Sequence, residues 1–265
     1  MENEILLVHR KGHVCTLVLN RPEKRNALSP DLLIKLYQTL QELSKDDTMR
    51  AVVIRGAGDK AFSSGYDITA IPTNIAPDDK KLIKDQNPFE LALDRIVNYP
   101  YPVIAMLNGY AFGGGCDLAV SCDIRVGADD IRMAMVPVKL GMAYAPSGLQ
   151  RFIRTIGLSR TKEIFFTGRL YDAPRLKEMG LVDYLIPRAE LESFTLDLAE
   201  EIAGNAPLSL KGIKRILNLV VRSEEMNEED QQEADEIITH ALRSEDLKEG
   251  QMAFLEKRKP DFKGR

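Results

Sequence analysis

The sequence predicts an α/β fold. Short apolar segments of strand type alternate with amphipathic segments of helical period through the first half of the chain. Turn and capping residues stand at the joints between them. The 265 residues are 44% hydrophobic and 29% charged, enough for one large core under a soluble surface.

Ile5–His9 and Val14–Leu19 read as a hairpin with Lys11 and Gly12 in its turn. Ser29-Pro30-Asp31 is a helix start: Ser caps, Pro takes the first helical position, and Asp meets the positive dipole end. Leu32, Leu33, Leu36, Tyr37, Leu40 and Leu43 then fall on one stripe. Ala51–Arg55 is a buried-type strand, and Asn87-Pro-Phe-Glu90 opens a helix to Asn98 as a capping box. Val103–Leu107 and Ile124–Ala128 read as strands on either side of a helix over Gly114–Cys122. After Pro146 the pattern is helical almost throughout. Ser159 to Gly168 and Asp172 to Gly180 are helices, and a brief strand covers Val182–Ile186. Helices then follow over Leu191–Ala203, Leu208–Val221, Glu228–Leu242 and Asp246–Lys257. The chain divides as an α/β core over residues 1–200 and a C-terminal helical region over 201–265.

Composition excludes several function classes. Net charge is −4 and the charges are interspersed, which gives no footprint for nucleic acid. The eight acids of Ser223–Glu236 read as a solvated helix face. No apolar run reaches the ~18–20 residues of a membrane span. The acidic start without a signal-type segment and three cysteines in no metal spacing predict a reduced, cytoplasmic chain. His9, His13 and His240 lie in no catalytic context, so a histidine triad and a histidine-rich metal site are both disfavoured. Backbone dipoles, carboxylates, tyrosines and shape are left to do any chemistry.

Two segments invite a ligand. Asn108–Asp117 joins a strand to a helix through Gly113, Gly114 and Gly115. Glycines let backbone come close to a ligand, and the helix start exposes unpaired N–H groups that suit a phosphate or a developing oxyanion. The same glycines would also serve as a plain packing hinge. Ala61–Ile68 follows a strand and a Gly-Ala-Gly turn, and its small residues leave the Tyr66 N–H free to point at a ligand. It also reads as an ordinary turn in which Asp67 caps a helix from Ile68.

Together these segments carry a resemblance. Asn20–Ser29, Phe62–Ile68, Asn108–Asp117, Gly180–Asp183 and Glu249–Lys259 resemble, in order, the signatures of the enoyl-CoA hydratase/isomerase (crotonase) superfamily. The resemblance implies a spiral of β-β-α units, C-terminal helices that build a homotrimer or a dimer of trimers, and an acyl-CoA thioester substrate. It implies no separate cofactor, coenzyme A being part of the substrate, and no metal. The backbone N–H groups of Tyr66 and Gly114 become an oxyanion hole for a thioester enolate. Ser64, Gly65, Asp67 and Ile68 flank the first of them. The loop Lys24–Ala27 lies along the CoA nucleotide, so Lys24 and Ala27 are binding residues. Phe254 and Lys257 meet its adenine and phosphates, often across a subunit boundary.

The departures from the family pattern matter more. Hydratases of the superfamily place one water between two glutamates. Here the first position is Asp117 and the second falls in Met135-Val-Pro-Val138, with no glutamate between Glu90 and Glu163. Two-carboxylate hydration is disfavoured unless a glutamate from elsewhere folds in beside Asp117. Pro137 to Tyr144 and the ending from Ser244 resemble the methylmalonyl-CoA decarboxylases of the superfamily, although those carry His at 66 and Thr at 136. On that resemblance Val136 and Val138 form an apolar wall, Tyr144 orients a substrate carboxylate, and Asp117 or water delivers a proton. The rival reading makes Asp117 the sole acid/base of a hydratase or isomerase acting on an unusual enoyl-CoA, an alicyclic one included. A catalytically silent acyl-CoA-binding protein is the rival from another class, and Asp117 also reads as a mere helix-start residue.

Overall fold

The computed structural model describes residues 4–67, 87–222 and 228–262. The hairpin forms as its alternation requires, with β1 (Leu6–Lys11) antiparallel to β2 (Val14–Leu19) and Gly12 at φ 57° in the turn. Helix α1 (Pro30–Leu43) starts on Ser29, whose side chain accepts from the Leu32 N–H, and buries Leu32, Leu33, Leu36, Leu40 and Leu43. Each such leucine removed from water stabilises the fold by roughly 1.5–3 kcal/mol before entropy is counted.

From β3 (Ala51–Gly56) onward the chain alternates between two sheets. It enters the large sheet, steps through β4 (Ala61–Ser63) of a small sheet, and returns behind α2 (Pro88–Val97). The next turn is β5 (Val103–Leu107), β6 (Tyr110–Phe112) and α3 (Gly114–Ser121). The third is β7 (Ile124–Ala128), β8 (Arg132–Ala134) and α4 (Pro146–Thr167). Then come β9 (Tyr171–Asp172), α5 (Ala173–Met179) and β10 (Tyr184–Ile186). The large sheet runs β1-β2-β3-β5-β7-β10 and is parallel from β2 on; the small one runs β4-β6-β8-β9. This is a spiral of β-β-α turns. Every residue of β5 is buried, which is why it reads as a continuous apolar run.

Two expectations need correction. Residues 146–156 are helical, because α4 starts at Pro146 and is interrupted at Gly157 (φ 76°, ψ 160°), so Ser159 begins only its second half. The small sheet was not anticipated either, since strands of two or three residues show no period.

Helix α6 (Leu191–Ala203) packs on the large sheet. Helices α7 (Pro207–Arg222), α8 (Glu228–Arg243) and α9 (Glu245–Glu256) follow. Helix α7 holds the core with its polar side. The buried Lys214 ammonium donates to Asp123 at 2.6 Å and to the Tyr101 carbonyl at 3.0 Å, and Asn218 donates to the Val97 carbonyl. Its apolar residues Ile213, Ile216, Leu217 and Val220 point outward. No described helix is long and apolar enough to cross a membrane.

Candidate active site

Three loops meet at the ends of β2, β4 and β6. The first reverses after β2 through Arg25 (φ 52°) and Asn26 (φ 56°). It is held by the buried Asn26 amide, which donates to the Ala57 and Ala61 carbonyls. It then zips onto the second loop. Ser63 Oγ donates to the Asn26 carbonyl, Ser64 N–H to the Arg25 carbonyl and Ser64 Oγ to the Lys24 carbonyl. The Leu28 N–H donates to Gly65 at 2.8 Å, and the Asp67 N–H donates to Leu28 at 3.0 Å.

That pairing decides where the Tyr66 amide points. In a parallel bridge between Leu28 and Tyr66, the bonds run through residues 65 and 67, so the N–H of residue 66 faces the other way. What it faces is the third loop. Gly65 (φ 97°) lies so close that a Cβ there would stand 2.5 Å from the Phe112 carbonyl and 3.2 Å from Gly114 N. A Cβ on Gly114 would stand 3.1 Å from Tyr66 N. Gly113 makes the sharp turn (φ 48°, ψ −115°) that starts α3, and Gly114 is the first residue of that helix. Among the described residues neither amide donates to an acceptor. Two free N–H groups, one at the positive end of a helix, thus converge on one small space. Phe89 covers it. Its ring edge would lie 2.9 Å from a Gly114 Cβ, and it meets the Tyr66 ring edge-on at 6.0 Å. Burial, with the Asp67 charge beside it, raises the Tyr66 phenol above its ordinary range and keeps it protonated.

One helical turn beyond Gly114, on the same face, lies Asp117. It is fully buried. Its Oδ2 accepts from the Tyr144 hydroxyl at 2.8 Å and from Arg151 Nη2 at 2.9 Å, while Oδ1 accepts from Arg151 Nε at 2.8 Å. The Tyr144 ring lies over Gly148, where any Cβ would collide with it at 2.3 Å. Burial first, then the Asp117 charge and hydrogen bond, push the Tyr144 phenol well above its usual range. Burial works against the Arg151 charge, but Asp117 and Glu90 outweigh it and hold the guanidinium more firmly protonated than usual.

Glu90 is a glutamate from elsewhere in the chain that does fold in beside Asp117. Its expected role was the reciprocal half of a capping box; instead Asn87 alone caps α2, and the Glu90 carboxylate turns to Ser147 Oγ (2.8 Å) and Arg151 Nη2 (3.5 Å). Glu90 and Asp117 therefore share one guanidinium nitrogen. Arg151 was also missed, being one of 36 basic residues with no motif around it.

This geometry sets two amides that face one small space one helical turn from a closed ion-pair cluster. The profile of the enoyl-CoA hydratase/isomerase family matches residues 9–265.

The chain belongs to that family, the crotonase superfamily.

Among its relatives, the methylmalonyl-CoA decarboxylase of Escherichia coli is 32% identical, covering 95% of each chain. The short-chain-enoyl-CoA hydratase of Clostridium acetobutylicum is also 32% identical, over 100% of each. The solved structure of methylmalonyl-CoA decarboxylase in complex with 2-nitronate-propionyl-CoA superposes with a TM-score of 0.91 at 32% identity, covering 99% of both chains. An enoyl-CoA hydratase structure from Bacillus anthracis gives 0.74 at 30% identity, covering 99% of this chain and 100% of that one.

The remaining expected site residues divide. Val136 lies beside the glycine turn, its Cγ2 3.7 Å from a Cβ placed on Gly113. Val138 is 44% exposed on the single helical turn over Pro137–Leu140. Helix α9 presses on that turn, since a Cβ on Gly250 would meet the Leu140 carbonyl at 2.6 Å. Phe254, one helical turn beyond Gly250, is exposed, as are Lys257 and Lys24, whereas Ala27 is half-buried. Asp67 pairs with Arg21 at 3.5 Å, which also donates to the Ala27 carbonyl. Ile68, and the helix expected to start there, lie outside the described residues. The described residues hold no cluster of metal-ligating side chains.

Proposed function

We propose that this member of the family is an acyl-CoA lyase that decarboxylates a methylmalonyl-CoA-like substrate. The observation that carries the proposal is where hydrogen-bond donors stand and where they do not. Two free amides await the thioester oxygen, which becomes negative. Among the described residues Val136, with no polar atom, stands beside the glycine turn, and Tyr144, which we assign to the acyl side, gives its only hydroxyl hydrogen to Asp117. Decarboxylation breaks the bond from the α-carbon to the carboxylate; its electron pair moves into the thioester as an enolate and CO2 leaves neutral. A site speeds this by gripping the oxygen that gains charge and not the group that loses it. Water then protonates the α-carbon. Asp117 is too deeply enclosed to do so: with no exposed surface and three donors on its oxygens, it positions Tyr144 and does not touch the ligand. Incubation with malonyl-, methylmalonyl- and ethylmalonyl-CoA, with CO2 release followed, tests the reading.

A second reading, hydration or isomerisation of an enoyl-CoA, is favoured by Glu90, a carboxylate close to Asp117. Two acids can split one water only if both reach it within ~3 Å. Here the Arg151 guanidinium occupies the space between them, which weighs against this reading. Asp117→Asn separates the two, since it abolishes hydration and only slows decarboxylation. A silent acyl-CoA-binding protein predicts no solvent deuterium at the α-carbon of a bound propionyl-CoA, and detectable exchange removes it.

The CoA nucleotide is assigned to the loop Lys24–Ala27, with Phe254 and Lys257 supplying adenine and phosphate contacts. Second and third copies of the chain are assigned to the outward apolar side of α7, giving a homotrimer or a dimer of trimers.

A further inference from the structure

Tyr144 has one hydroxyl hydrogen and two possible uses for it. It can donate to Asp117 or to a group in the acyl pocket, but not to both. The choice is settled by what Asp117 is. As a carboxylate it only accepts, so Tyr144 must donate to it and present its lone pairs elsewhere. Arg151 meets both Asp117 oxygens, fork to fork, at 2.8 and 2.9 Å, the bidentate arrangement that suits an acceptor-only carboxylate. Glu90, which accepts from Ser147 Oγ, also accepts from the Nη2 that Asp117 meets.

We propose that Arg151 is a positioning residue: by pairing with Asp117 it commits the Tyr144 proton to Asp117 and keeps that hydroxyl from donating into the acyl pocket. Its effect on turnover rests on the decarboxylase reading; its effect on binding does not. In Arg151→Met, a buried carboxylate deprived of its cation takes up a proton and becomes the donor, so the Tyr144 hydrogen turns to the pocket. Asp117→Asn has the same outcome by another route. With the carboxamide oxygen toward Arg151 Nε and Nη2 left to Glu90, the NH2 takes the place of Oδ2 and faces the Tyr144 oxygen, which then accepts. Either way the pocket gains a donor for a substrate carboxylate. That donor favours the ground state over the charge-losing transition state, so kcat and KM fall together.

The test uses carboxypropyl-CoA, a non-reacting thioether with a carboxylate, and butyl-CoA thioether, which lacks one. Calorimetry on the full-length protein should show carboxypropyl-CoA bound no more tightly than butyl-CoA. Arg151→Met and Asp117→Asn should each tighten carboxypropyl-CoA alone by about tenfold, and Tyr144→Phe added to either should erase the gain. Arg151→Lys, which keeps the cation without the fork, should fall between wild type and Met. A purely structural Arg151 would weaken both ligands or leave both unchanged, and that result overturns the proposal. So does a gain that survives Tyr144→Phe. Should neither variant fold, the wild-type comparison decides: a tenfold preference for carboxypropyl-CoA means that a donor already faces the pocket. If the binding pattern holds and no malonyl-type ester turns over, the role of Arg151 stands and the decarboxylase reading falls.

Discussion

Gly114 and Tyr66 approach so closely that a Cβ on Gly114 would stand 3.1 Å from the Tyr66 nitrogen. That Cβ would fill the space on which both amides converge. Gly114 does not adopt positive φ, so alanine is compatible with its backbone. Gly114→Ala is expected to lower the melting temperature modestly, since the Phe89 ring 2.9 Å from the new Cβ must move, and to lower kcat/KM by about 100- to 1000-fold, as for loss of an oxyanion-hole donor. Steady-state kinetics and a thermal melt check the two halves.

The close approach of the two amide-bearing loops was legible because only glycines and small residues let two backbones meet so closely. The α1 cap, the strand β5 and the Gly180 helix stop were legible because local chemistry decides them. Beyond that range the sequence is mute. Strands β4, β6, β8 and β9 are too short to show alternation and exist because neighbouring turns of the spiral stack. Glu90 obeys the capping-box rule, yet Ser147 and Arg151, brought near from α4, hold its carboxylate more favourably. The fate of Asp117 depended on an arginine 34 residues on, which no spacing rule singles out.

Breaking the Asp117–Arg151 pair leaves a buried carboxyl without its cation, and either the charge or the proton that removes it costs stability. Arg151→Ala is expected to cost about 3–5 kcal/mol of stability. Urea unfolding measures it, and a loss under 1 kcal/mol would show that the cluster is open to water.

Burial pushes the Cys15 thiol up to about 11, with smaller opposed effects from Arg10 and Asp46, and the Cys122 thiol up to about 12. Tyr144 is raised as well. An unfolded thiol releases its proton near 9 while these hold theirs, so above that pH the native state binds more protons. Stability from these groups is complete below pH ~9 and declines as pH rises toward the raised values. Urea midpoints should therefore drop between pH 8.5 and 10.5, roughly, and a thiol reagent at pH ~8 should find Cys15, Cys116 and Cys122 only after unfolding.

Ile213 and Leu217 lie on the outward side of α7, exposed by 60% and 58%. If copies of this chain cover them, sedimentation at micromolar concentration gives a trimer or hexamer, and Ile213→Glu with Leu217→Glu gives monomer. A wild-type monomer would refute the assembly.

The most direct test of the central claim compares two reactions on one preparation. CO2 release from methylmalonyl-CoA and its malonyl and ethylmalonyl analogues is set against hydration of crotonyl-CoA. Two amides gripping the thioester oxygen, with Asp117 locked to Arg151, predict turnover of at least one malonyl-type ester and little or no hydration. Brisk hydration of crotonyl-CoA with no CO2 from any of the three would contradict the account.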